Sequence, residues 1–251
     1  VSTPILWNLR PSETGRQIVM FPFLGGFGAS FNGLVRGLGG DWDVWTVNPP
    51  GHGPSTEPPY RYLAALVERY LTALRDVLRP DAVLFGHSMG GVVAYHVLQA
   101  MAARPSFARR LPADLVLSAA RAPERLEIGG RAQLPEDELL AHLLAFGAIP
   151  AEVAGDRSLI ELFLPAFRAD YQVLEDAKRL PPAKLDVRAH LVLGGRDPQT
   201  PEGSAAEWQA YFTEPVRTHV LGDQEHMFVL HDTERLDRIL NDLERVAAWQ
   251  R

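Results

Sequence analysis

Ala82-Val83-Leu84-Phe85-Gly86-His87-Ser88-Met89-Gly90-Gly91-Val92-Val93 joins two apolar runs through a glycine-flanked serine. Ala82–Phe85 reads as a strand buried on both faces, and Val92, Val93, Tyr95, Val97, Leu98 and Met101 read as the helix that follows. Gly86 to Gly90 is therefore G-x-S-x-G in a strand–turn–helix setting. Of the nine serines, Ser88 alone has glycine two residues away on both sides. On such a turn the serine Oγ projects above the sheet, and Gly86 and Gly90 let the strand and helix backbones approach closely. The helix start offers unpaired N–H groups to a developing oxyanion. The competing reading is a glycine-rich turn whose serine only caps the helix.

Working outward, similar short runs recur at Gln17–Phe21, Asp43–Val47, Asp114–Ser118, Ala189–Leu193 and Val216–Leu221. Between them lie helical stripes. One runs from Tyr62 to Leu78 and stops at Arg79-Pro80; another covers Leu236 to Val246, with Asp232 or Thr233 as N-cap. Strands alternating with helices predict an α/β fold with a mostly parallel sheet and helices on both faces. Residues 121–181 break the alternation. A helix opened by Leu134-Pro135-Glu136 runs to Gly147, and a second spans about 156–180 with a kink expected at Pro165. The expectation is one domain over residues 1–251 with a helical lid at 121–181 inserted in it.

The chain has 251 residues, 46% hydrophobic, which suffices for a sizeable core and excludes wholesale disorder. It has no cysteine, which removes thiol nucleophiles, disulfides and Cys-ligated metals. The net charge of -6 disfavours nucleic acid as the main partner. No stretch has the length of a membrane span, and the start at Val1 lacks a basic-then-apolar signal pattern. The expectation is a cytoplasmic protein, monomeric by default.

A serine hydroxyl needs a base, and the base needs an orienting acid, in the chain order Ser, acid, His. Ala189–Leu193 leads into Gly194-Gly195-Arg196-Asp197, and Val216–Leu221 leads into Gly222-Asp223-Gln224-Glu225-His226. Asp197 and His226 thus lie beyond the C-terminal ends of consecutive strands, where ligands of open α/β sheets bind. Asp223 is a rival acid. His219 falls inside a strand pattern, His231 at a helix start and His87 beside the nucleophile, while His52 reads as part of a turn. For the oxyanion, one amide is expected from Met89 and the other from Leu24 or Gly25 in Phe21-Pro22-Phe23-Leu24-Gly25-Gly26.

These segments resemble the α/β-hydrolase superfamily and, within it, the type II thioesterases that edit polyketide and nonribosomal peptide synthesis. Phe21-Pro-Phe-Leu-Gly-Gly resembles that branch's oxyanion loop, and Gly86-His-Ser-Met-Gly-Gly its elbow. Arg168-Ala-Asp170-Tyr resembles the end of its lid, Gly194-Gly-Arg-Asp197-Pro its acid loop, and His226-Met-Phe228 its histidine loop. Phe23, His52 and Gln224-Glu225 depart from the branch's usual His, Arg and Gly-Gly.

The resemblance implies Ser88 as nucleophile, His226 as base, Asp197 as orienting acid, and the Leu24 and Met89 amides as oxyanion donors. It implies an acyl thioester on the phosphopantetheine arm of a carrier protein as substrate, with no metal or organic cofactor required. Phe23, Phe146, Phe163, Phe167 and Met227 are the expected acyl-pocket residues. The arginines 104, 109, 110, 121, 125 and 131 form a basic stretch for an acidic carrier protein, or simply a solvated face. Two other readings stand: an excised terminal thioesterase domain or oxygen-ester hydrolase of the same fold, and a non-catalytic binding protein.

Overall fold

In the computed structural model, which describes residues 3–145, 149 and 156–249, seven strands form one sheet. They are β1 (Leu6–Arg10), β2 (Arg16–Phe21), β3 (Trp42–Val47), β4 (Val83–His87), β5 (Asp114–Ser118), β6 (Arg188–Gly194) and β7 (Arg217–Leu221). Their order is β1-β3-β2-β4-β5-β6-β7; β1 runs antiparallel to β3 and all other pairs are parallel. The helices are α1 (Asn32–Gly37), α2 (Leu63–Leu74), α3 (Met89–Ala102), α4 (Glu136–Ala145), α5 (Arg157–Arg179), α6 (Ser204–Trp208) and α7 (Thr233–Trp249). This is the mostly parallel α/β-hydrolase arrangement expected above.

The strand period of two sorts the core into two layers. Val19, Phe21, Leu84, Leu115, Leu117 and Leu191 face the layer shared with α2, α3 and α5. Ile18, Met20, Val44, Phe85, Val116 and Val192 face the opposite layer with α1 and α7. Met89 to Leu98 of α3 are buried all round, because the helix lies between the sheet and α2. In α2 the buried residues Leu63, Leu66, Val67, Tyr70, Leu71 and Leu74 repeat at helical spacing.

Several boundaries differ from expectation. β4 runs on through Gly86 and His87 rather than ending at Phe85, because its ladder to β5 continues to the His87–Ser118 pair. The C-terminal strand starts at Arg217, not Val216. β1 was not anticipated: Leu-Trp-Asn-Leu-Arg is half-buried on both faces and bulged between Asn8 and Arg10, so it lacks the apolar run that marks the central strands. α2 ends at Leu74, before the tighter turn that reaches Leu78. Asp232 is the N-cap of α7, its carboxylate accepting the Arg235 amide at 3.3 Å. Pro135 sits just outside α4, its carbonyl taking the first helical bond from Leu139. Pro165 lies inside an unbroken α5. The expected stop at Gly147 is outside the described residues.

Between β5 and β6 the described residues form two short 3-10 turns, Pro123–Arg125 and Arg131–Gln133, then α4 and α5. Among the described residues no helix is long and apolar enough to cross a membrane.

At the N-terminal end of the parallel strands, the fully buried Asp114 of β5 binds Arg16 of β2 and, at 2.7 and 2.9 Å, Arg188 of β6. Burial alone would raise its pKa, but Arg188, His190 and Arg16 hold it well below the usual carboxylate range. Asp114→Ala leaves clustered cations without their counter-charge and is expected to cost about 3–5 kcal/mol in urea unfolding at neutral pH. Because the folded-state value is depressed, the stabilisation is present above the ordinary carboxylate pKa. It is lost as pH falls through the folded value.

Candidate active site

Ser88 stands between β4 and α3 with φ +54° and ψ −121°, a backbone conformation that ordinary residues rarely hold. Its amide donates to the Ser118 carbonyl at 2.7 Å, and its carbonyl accepts the Gly91 amide at 3.0 Å. The two glycines of the motif are sterically obligatory. A Cβ on Gly86 would lie 2.2 Å from the Gly90 oxygen, and one on Gly90 would lie 2.1 Å from the Phe21 oxygen at the end of β2.

The loops after β6 and β7 are tied to each other. Gly195 donates to the Leu221 carbonyl at 2.8 Å and Arg196 to the Gln224 carbonyl at 2.9 Å. That pairing carries Asp197 and His226 together. His226 Nδ1 lies 2.7 Å from Asp197 Oδ2, and His226 Nε2 lies 2.9 Å from Ser88 Oγ. Asp197 Oδ1 accepts the Gln199 amide at 2.9 Å, and Oδ2 also accepts the Thr200 hydroxyl. Burial pushes the Asp197 pKa up, but His226, Thr200 and the Gln199 amide together bring it below the ordinary value. Asp197 is therefore a carboxylate at neutral pH and holds the proton of His226 on Nδ1, leaving Nε2 to face the serine hydroxyl.

The remaining histidines fall elsewhere. His87 is fully buried, with Nδ1 2.9 Å from Ser118 Oγ and its ring wedged edge-on between Phe23 and Phe228. Burial, reinforced by His226, holds its pKa well below the ordinary imidazole value, so it is a neutral support behind the triad. His219 stacks on His190, and His231 closes a 3-10 turn at Phe228–Leu230. Asp223 is exposed and paired with Arg235 at 2.6 Å, which takes it out of contention as the acid.

Ser88 and His226 open onto a cavity of about 380 Å³. Leu24 and Met89 lie on its wall beside them. The Gly25 amide is committed to Asp170 Oδ2 at 2.7 Å, which leaves Leu24 of the two amides considered for that loop. The rest of the lining comes largely from the β5–β6 segment: Leu126, Ile128, Arg131, His142, Tyr171 and Leu174. Tyr171 OH lies 2.9 Å from His142 Nε2, with the Arg131 guanidinium 6.0 Å from the Tyr171 ring centroid.

The expected aromatic pocket is displaced. Phe23 packs on His87, Phe167 covers Gly25, and the half-buried Phe163 packs against the core from outside it, while Met227 precedes the Phe228–Leu230 turn; none of the four lines this cavity. Phe146 lies outside the described residues. Phe167, Tyr171 and Leu174 share one face of α5, and helical spacing cannot tell which turn of it meets the cavity; Tyr171 and Leu174, one and two turns on from Phe167, take that place. Thr200 and Ile128 carry no sequence signal of their own, and Arg131, expected in a basic surface stretch, lines the cavity instead. In the basic stretch, Arg104 pairs with Glu68, Arg121 with Glu207 and Glu127, and Arg110 with the Arg75 carbonyl.

An α/β-hydrolase sheet with a serine, a histidine and a carboxylate in hydrogen-bonded sequence above its C-terminal edge defines the class. The chain matches the thioesterase domain family over residues 16–246, and it belongs to that family. A Streptomyces griseus protein named as a cadicidin biosynthesis thioesterase is 25% identical over 243 residues, covering 95% of this chain but 64% of that protein. Among solved structures, the type II thioesterase BorB from the borrelidin biosynthetic cluster is 26% identical with a TM-score of 0.84, over 96% of this chain and 98% of that one. The RedJ thioesterase from the prodiginine pathway of Streptomyces coelicolor is 27% identical with a TM-score of 0.82, over 97% and 94%.

The tightness of the elbow is open to test. Gly90→Ala drives a Cβ into the β2 backbone, which cannot swing aside as a side chain can. It is expected to lower stability by about 2 kcal/mol or more in chemical denaturation.

Proposed function

We propose that this chain is a serine thioesterase that releases acyl groups from the phosphopantetheine arm of carrier proteins in polyketide or nonribosomal peptide synthesis. The observation that carries this reading is the unbroken Asp197–His226–Ser88 chain, at 2.7 and 2.9 Å, on the wall of the cavity. The names of BorB and the cadicidin relative support the substrate class, and a carrier protein is the partner that this class implies.

In this mechanism His226 Nε2 takes the Ser88 proton as Oγ attacks the thioester carbonyl. The Leu24 and Met89 amides receive the negative charge that develops on the carbonyl oxygen, at the positive end of α3. Collapse breaks the C–S bond, and the thiol leaves with the proton from His226. Water, deprotonated by the same histidine, then attacks the Ser88 ester, and the carboxylic acid departs. Asp197 orients the imidazole and stabilises its cation at each stage. The sulfur comes entirely from the substrate, since the chain has no cysteine.

Hydrolysis of acyl-carrier protein, a small acyl thioester and an oxygen ester by purified protein tests the assignment. Wild type is expected to prefer the carrier-bound acyl group. Ser88→Ala is expected to lower turnover by about 10³-fold or more. Turnover that survives in Ser88→Ala contradicts the assignment, and a preference for the oxygen ester contradicts the substrate class. The cavity wall sets acyl length: Leu174→Trp is expected to lower kcat/KM for long acyl chains by about tenfold or more relative to acetyl. Kinetics over an acyl-length series checks this.

A further inference from the structure

Asp170 of α5 is 5% exposed and takes no part in the triad. Its Oδ2 accepts two hydrogen bonds, from the Gly25 amide at 2.7 Å and from His52 Nε2 at 3.1 Å. One turn earlier on α5, Phe167 lies over the same glycine: a Cβ on Gly25, whose φ is +72°, would sit 2.2 Å from the phenyl ring. The helix therefore presses on the oxyanion loop with an apolar ring and grips it with a carboxylate, at a position next to Leu24.

His52, on the loop after β3, is 3% exposed, and its Nδ1 lies 3.0 Å from the Pro50 carbonyl. A carbonyl oxygen only accepts, so Nδ1 carries a proton. The carboxylate only accepts too, so Nε2 carries another. The geometry thus calls for an imidazolium facing Asp170. Burial alone would lower the His52 pKa, but the Asp170 charge, its hydrogen bond and the Pro50 carbonyl outweigh burial and raise it.

Other titratable groups near the pair do not compete with it. From α2 the Tyr70 phenol is kept neutral by burial and by the Asp170 charge. Tyr171, beside Asp170 on α5, is pushed up to about 12, chiefly by burial. On the β2 and α3 sides, Pro22, Phe23, Met89 and Val93 carry no titratable group.

We propose that Asp170, ion-paired with His52, is a positioning residue that anchors Gly25 and so aims the adjacent Leu24 amide at the oxyanion, and that loss of a His52 proton at alkaline pH strips Asp170 of its counter-charge and slows the reaction. The proposal rests on Ser88 as nucleophile. When one proton leaves, the one that remains stays on Nε2 facing the carboxylate, and the Pro50 carbonyl loses its donor. The Asp170 carboxylate is then left without a counter-charge beside Gly25, the neighbour of an oxyanion donor, where it opposes the charge forming there. The sign follows from the raised value: the pair is complete at and below the ordinary imidazole pKa and is lost as pH rises through the folded value.

The rate of Ser88 labelling by a fluorophosphonate tests this without any thioester, because the phosphonyl oxygen occupies the same oxyanion site. Measured from neutral to alkaline pH, wild-type labelling should fall on the alkaline side. Asp170→Asn and His52→Gln should each label roughly tenfold more slowly at neutral pH, a fraction of the loss from deleting an oxyanion donor, and should lack the alkaline fall. A thermal melt of each variant separates slow labelling from unfolding. If Asp170→Asn does not fold, His52→Gln decides alone. Variants that label at the wild-type rate, or keep the wild-type alkaline fall, overturn the proposal even if their melting temperatures drop. Absence of label in wild type refutes Ser88 as nucleophile, and the positioning role with it.

Discussion

Gly90 at the start of α3 lies so close to the end of β2 that no side-chain atom fits between it and the Phe21 carbonyl. That contact fixes how steeply the chain must turn from β4 into α3. The turn in turn forces the positive φ of Ser88, a conformation that costs on the order of 1–3 kcal/mol and persists only where its surroundings dictate it. Here they do: β4 pairs with β2 and β5 on either side, the Ser88 amide is tied to Ser118, and α3 is buried along one side of the sheet. The strain is held by the core and lifts the hydroxyl clear of the sheet.

The same economy of space governs His226 and Asp197, the two side chains bonded in series to Ser88. β6 and β7 are neighbours, and the loops that leave them are joined by backbone bonds at Gly195 and Arg196. Side chains at Gly194 and Gly195 would run into the Gln224 and Gly222 carbonyls, so the glycine pair before Asp197 is what lets the loops meet. Asp197 and His226 are thus brought together by the pairing of two adjacent loops, and His226 reaches Ser88 from there.

The central strands and the meeting of Ser88, His226 and Asp197 were legible because each rests on a local rule. Double burial makes continuous apolar runs, the elbow demands Gly86 and Gly90, and the acid and base must follow strand ends. Features that depend on long-range packing were not legible. β1 is recognisable only once β3 is beside it. The lining of the cavity is decided by how far along the sheet α5 is placed, which sets Tyr171 and Leu174 on the cavity wall and Phe167, on the same helix face, over Gly25. His52 read as a turn residue because its carboxylate partner is 118 residues away in the chain. The resemblance marked Asp170 as part of a motif, and only its bond to Gly25 shows what it touches.

One face of α5 therefore meets the chemistry at two levels along its axis. Its later turns line the cavity through Tyr171 and Leu174, and the turn before them reaches the Gly25 loop through Phe167 and Asp170. Every part of the account depends on a covalent intermediate at Ser88. Rapid quenching during the first turnover of an acyl thioester, followed by peptide mass spectrometry, tests that directly. The account predicts a burst of free thiol matching the enzyme concentration and the acyl mass on the peptide containing Ser88. Thiol release with no acyl group on that peptide, or with the acyl group on another residue, would contradict it.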